Sequence, residues 1–82
     1  MQNYKIDILT YHSDNSVRSD CADITFQNTG TSDVIINNGF TLPPNTILSI
    51  TANENEIDRT IYTFYFQGTS PNNLIVLRKV YI

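Results

Sequence analysis

Asn37-Asn38-Gly39 stands between two short runs that alternate apolar and polar side chains. Asn-Gly supplies neighbours that accept a positive φ at low cost, as a two-residue type I′ hairpin turn requires. The sequence therefore predicts a hairpin, Val34–Asn37 leading in and Phe40–Leu42 leading out. Pro43-Pro44-Asn45 ends the second strand. Proline presets φ for a turn and cannot donate to a ladder, and Asn tolerates the left-handed region that follows. Leu48 and Ile50 then restart the alternation. Upstream, Asn28-Thr29-Gly30 closes the strand of Ile24 and Phe26 in the same way. Turns recur about every eight to twelve residues, the spacing of a sandwich or barrel. Gly30, Asn38, Gly39, Pro44 and Asn45 are the turn residues on which this reading depends.

The flanks follow the same period. Tyr4 to Tyr11 reads as a strand with Tyr4, Ile6 and Ile8 on one face and Lys5 and Asp7 on the other. His12 to Ser19 reads as a polar loop and Asp20 to Gln27 as a strand. Thr51 to Thr60 offers Ile57 as its one well-placed apolar anchor and reads as a loop with at most one helical turn. Ile61 to Gln67 and Leu74 to Ile82 are strands, separated by the turn cluster 68–73. About seven strands with no long helix give an all-β chain, a small antiparallel β-sandwich forming one domain over 1–82. An immunoglobulin-like Greek key and a small jelly roll both fit. The expected core is Ile6, Ile8, Ile24, Phe26, Val34, Ile36, Leu42, Leu48, Ile50, Phe64, Phe66, Leu74 and Val76.

Across Ile24 to Phe66 runs a series of short motifs: N-T-G, V-x-I-N-N-G, L-x-P-N with a following L-x-I, and D-x-T-x-Y at Asp58 to Tyr62. This series resembles small virion structural proteins of tailed bacteriophages, especially those infecting Bacteroidetes. The proline turn of such proteins is commonly Pro-Gly, where this chain has Pro44-Asn45. The resemblance implies a non-enzymatic structural protein of a bacteriophage particle. Such a protein would be a capsid auxiliary or decoration subunit, or another small virion component, made in the host bacterial cytoplasm. Its partners would be other virion proteins such as a major capsid protein, in a homo-oligomer or multi-copy array. Immunoglobulin-like modules of bacterial surface proteins carry a similar N-T-G pattern. The alternative is therefore an adhesive or carbohydrate-binding β-sandwich module.

Composition narrows the chemistry. The net charge of −3 argues against nucleic acid, which asks for a basic face. No apolar run approaches membrane-spanning length, and Met1 to Lys5 lacks the pattern of a signal peptide. A chain of 82 residues buries only about 60–65% of its unfolded surface. Cys21 is the single cysteine, so no internal disulfide can add stability. Oligomerisation or docking on a larger body is the remaining supplement.

Candidate sites are few. His12-Ser13-Asp14 has the residue types of a triad, but a triad needs groups converging from separate elements. Asp14, Asp20 and Asp23, or Glu54, Glu56 and Asp58, could collect a cation, yet neither set has EF-hand spacing. Cys21 reads as a small apolar residue at a strand start. Five Tyr and four Phe without Trp read as core and sheet surface rather than as a sugar platform. The expectation is no catalytic residue, no metal and no cofactor. The one segment that calls for a partner is the last strand. Leu74-Ile75-Val76-Leu77 is apolar on both faces, so one face is left uncovered by a single core. Ile75, Leu77, Lys79, Tyr81 and Ile82 are the expected partner interface.

Overall fold

Among the described residues the alternating runs form eight strands. They are β1 (Tyr4–Tyr11), β2 (Asn15–Arg18), β3 (Asp23–Asn28), β4 (Val34–Ile36), β5 (Phe40–Leu42), β6 (Thr46–Thr51), β7 (Ile61–Phe66) and β8 (Leu74–Tyr81). The computed structural model describes residues 3–53, 56–69 and 71–82. Among these residues there is no helix.

The pairing is nested. β4 pairs with β5, β3 with β6, β2 with β7 and β1 with β8, all antiparallel. The chain is thus one long hairpin, turned at Asn37–Gly39 and rolled up on itself. Two further antiparallel pairs, β3 with β8 and β4 with β7, close the roll. The result is two four-stranded sheets, ordered β1-β8-β3-β6 and β2-β7-β4-β5. Both sandwich topologies fit the sequence; this strand order is that of the jelly roll.

The core lies between the sheets. The first sheet contributes Ile24, Phe26, Leu74 and Val76; the second contributes Val17, Val34, Ile36, Leu42, Tyr62 and Phe64. Aromatic rings meet edge to face, with Tyr11 and Phe64 centroids 4.9 Å apart and Phe26 and Tyr62 5.3 Å apart. Such pairs stabilise by about 0.5–1.5 kcal/mol beyond the area they bury. Asn28 is fully buried but satisfied. Its Nδ2 donates to the carbonyls of Ser32 and Leu42, and its Oδ1 accepts from Gly30 N. Gly30 is required by close approach, since a Cβ there would stand 2.6 Å from Asn73 N.

Three expectations change. The strand count is eight, because Asn15–Arg18 is a strand inside the expected polar loop. Only Val17 of that strand is buried, so the sequence shows no alternation there. Second, β1 faces the other way. Ile6 and Ile8 are 51% and 65% exposed, while Leu9 and Tyr11 pack against the core and Asp7 turns inward with them. A strand with apolar residues on both faces gives two readings of its phase, and one residue of slip exchanges them. Here β8 decides: Leu9 stands opposite Val76, Tyr11 opposite Leu74 and Asp7 opposite Arg78.

The third change is in the hairpin turn, which sits one residue earlier. Asn37 and Asn38 hold the positive φ angles, 53° and 56°, and Gly39 does not. Gly39 N donates to Ile36 O at 3.2 Å. Asn37 also accepts from Thr63 N through its Oδ1 at 2.9 Å, which ties the turn to β7. A side chain at Gly39 would meet only Asn37 O, at 3.8 Å. Asn38→Val should therefore cost about 1–2 kcal/mol, the strain of a left-handed L-residue, whereas Gly39→Val should cost less than about 0.5 kcal/mol. Urea denaturation of the two variants checks the assignment. Asn45, at φ 62°, is the left-handed residue expected after Pro44.

Candidate functional site

The chemistry-bearing residues named from the sequence do not converge. The ring Nδ1 of His12 lies 3.0 Å from Asn72 O, a contact in which the ring N–H donates. Asp14 accepts from Phe66 N at 2.9 Å. His12 is therefore tied to Asn72 and Asp14 to the end of β7. Asp20 lies 3.7 Å from Arg18, and Asp23 accepts from Ala52 N. Glu54 lies outside the described residues, and Glu56 accepts from Asn53 N. No group of three metal-ligating side chains occurs among the described residues.

Asp58 is instead the centre of a clasp. Its Oδ2 accepts from the Tyr62 hydroxyl at 2.6 Å and its Oδ1 from Thr60 N at 2.8 Å. Its backbone bridges Cys21, and its carbonyl accepts from the buried Ser19 hydroxyl. Burial pushes the carboxyl up, but the hydrogen bonds from Thr60, Tyr62 and Ser19 outweigh it and hold Asp58 below the usual range. Burial and the same carboxylate push the Tyr62 phenol up to about 12. Cys21 is pushed up to about 11 by burial, so it stays a thiol at neutral pH. The clasp ties Asp58 to Ser19 and Cys21 on one side and to Thr60 and Tyr62 on the other.

A carboxylate with a depressed folded pKa adds stability above its unfolded pKa and loses it as pH falls through the folded one. Stability should accordingly be flat from pH 8 to 5 and fall below about pH 4. Asp58→Asn should reduce that acid-limb slope, a comparison readable by thermal melts across pH.

The feature with an unmet physical need is the outer face of the first sheet. β8 directs Ile75, Leu77, Lys79 and Tyr81 outward, because Leu74 and Val76 point to the core. These four belong to the set expected from the sequence; Ile82, the fifth, is 73% exposed but follows Tyr81 directly and so is out of phase with this row. Beside them run Tyr4, Ile6 and Ile8 of β1, of which Ile6 and Ile8 are core residues in the sequence-based expectation. Cross-strand pairs join the rows: Tyr4 with Tyr81, Ile6 with Lys79, Ile8 with Leu77 and Thr10 with Ile75. Two adjacent strands thus carry one apolar strip. Exposed apolar strips of this kind mark interaction surfaces more often than isolated exposed residues do.

The strip grades into a polar half. On β3, Thr25 stands beside Leu77, Gln27 beside Ile75 and Asp23 beside Lys79. Thr25 and Ser49 hydroxyls lie 3.2 Å apart. A shallow depression of about 210 Å³ opens between Ile6, Leu77, Lys79, Asp23 and Thr25. Lys79 Nζ sits 4.6 Å from the centre of the Tyr4 ring. That cation covers one face of the ring.

Arg78 fixes the face from beneath. It points inward, 20% exposed, and its Nη2 donates to Asp7 Oδ2 at 2.7 Å. Its Nη1 donates to the carbonyls of Arg18 and Ser19 at 2.8 and 3.1 Å. One guanidinium thereby joins β8, β1 and the end of β2. An apolar row at the start of β1 reads as core from sequence alone, which hides Tyr4, Ile6 and Ile8 as surface. The signal that could have found them is Leu9 and Tyr11, which offer β1 a second apolar row. No family model matches the chain, and a search of curated proteins finds no match.

Proposed function

We propose that the protein is a non-enzymatic structural subunit of a bacteriophage particle, a capsid auxiliary or decoration protein held by protein–protein contacts. The observation that carries the reading is the apolar strip of Tyr4, Ile6, Ile8, Ile75, Leu77 and Tyr81 on the outside of a sandwich whose core is already filled. A second apolar face has no use within this fold, and contact with another protein is what removes it from water. The jelly-roll connectivity adds support by analogy, since capsid domains are among its common uses. The motif resemblance over Ile24 to Phe66 points the same way.

The docking surface in this reading is the outer face of the first sheet, with Leu77 near its centre and Lys79 and Asp23 as the charged rim. The occupant is a larger virion protein such as the major capsid protein. The protein works at the virion, in many copies, after synthesis in the host cell. Mass spectrometry of gradient-purified particles tests this. The expected result is the protein at a copy number commensurate with the capsid lattice. Its absence from purified particles would overturn the reading.

A further inference from the structure

We infer that a second copy of this chain pairs with β1 edge to edge, as an antiparallel two-fold contact centred on Ile6. The inference goes beyond the particle reading and does not rest on it. β1 is an outer strand of the first sheet, and its eight residues contain no Pro, Gly or bulge to blunt the edge. The outer strands of the second sheet, β2 and β5, are only four and three residues long.

The free edge has a defined set of donors and acceptors. Asn3 O accepts from Ile82 N, so the odd-numbered residues of β1 turn their backbone groups toward β8. The N–H and C=O of Tyr4, Ile6 and Ile8 therefore point away from the sheet. The side chains of these same residues lie on its outer face.

Charge selects the register. In a two-fold antiparallel pair centred on Ile6, Lys5 of each copy lies opposite Asp7 of the other. Tyr4 lies opposite Ile8, and Ile6 meets its own mate. Tyr4, Ile6 and Ile8 then form the hydrogen-bonded pairs. Lys5 and Asp7 form the non-hydrogen-bonded pairs, in which side chains come closest. Centring on Asp7 would set two carboxylates face to face, and centring on Ile8 would set Asp7 against Leu9. β6, the other edge of this sheet, reads TILSIT and carries no charge. It offers no comparable preference among registers. Within one copy Lys5 is 60% exposed and 3.9 Å from Asp7 Oδ1, a long contact that it can exchange for the same oxygen of the other copy while Arg78 keeps Oδ2. The pairing would continue the sheet across both copies and merge their apolar strips into one surface.

The test uses the full chain. Light scattering should show a concentration-dependent dimer, and Lys5→Glu should weaken it about tenfold or more while leaving the melting temperature of the folded chain unchanged. Under mild oxidant, Ile6→Cys should form a disulfide-linked dimer, because hydrogen-bonded partners have Cα atoms about 5.5 Å apart. Ile8→Cys should not, since its mate lies about 13 Å away in this register. Cys21 is buried and will not compete. A wild-type chain that stays monomeric at millimolar concentration would overturn the inference. So would a dimer indifferent to Lys5→Glu, or cross-linking at Ile8→Cys in place of Ile6→Cys.

Discussion

Arg78→Ala is expected to lower folding stability by about 2–3 kcal/mol, measured by urea denaturation. The substitution strands three partners at once. Asp7 loses the guanidinium at 2.7 Å, and the carbonyls of Arg18 and Ser19 lose their donor. Breaking a fully buried ion pair costs roughly 3–5 kcal/mol, and partial exposure of both side chains lowers that figure here. The double variant Asp7→Leu, Arg78→Leu should recover only part of the loss. It removes the uncompensated carboxylate but still leaves two carbonyls without a donor. Full recovery would mean that Arg78 acts only through Asp7 and does not join the sheets.

This ion pair also shows where the sequence stops being legible. β3 and β7 read directly, because Ile24, Phe26, Tyr62 and Phe64 recur at alternate positions, and β8 reads as a strand from its apolar run Leu74 to Leu77. The β4–β5 hairpin reads from its Asn-Gly, with the turn displaced by one residue because two asparagines in succession can each take the left-handed conformation. β2 does not read, since NSVR offers a single apolar anchor. The phase of β1 does not read either. Its choice between Ile6-Ile8 and Leu9-Tyr11 is made by Arg78, seventy-one residues away from Asp7. Pairing between the first and last strands is the least local contact in the fold, and no window of sequence contains it.

The outer apolar strip is legible in part for the same reason. Ile75, Leu77, Lys79 and Tyr81 stand out because β8 is apolar on both faces, so one face had to be outside. Tyr4, Ile6 and Ile8 join them only once β1 is set against β8 in register. The strip therefore belongs to the tertiary pairing rather than to either strand.

The largest effect on function is expected from Leu77→Glu. Leu77 lies between Ile8 and Thr25 at the middle of the outer face. Leu77 is partly buried on that face, and the substitution should lower folding stability by about 1 kcal/mol, leaving the chain folded. In a contact, the new carboxylate would be buried against apolar surface without a partner. Losing a central anchor costs about 2 kcal/mol or more, a factor of roughly thirty in affinity. The measurement that bears most directly on the account is the amount of this protein retained on particles assembled with wild-type or Leu77→Glu chain, quantified by mass spectrometry after gradient purification. Wild-type protein is expected on the particle, and a Leu77→Glu chain that folds cooperatively is expected in the unbound fraction. Equal retention of both chains would contradict the account.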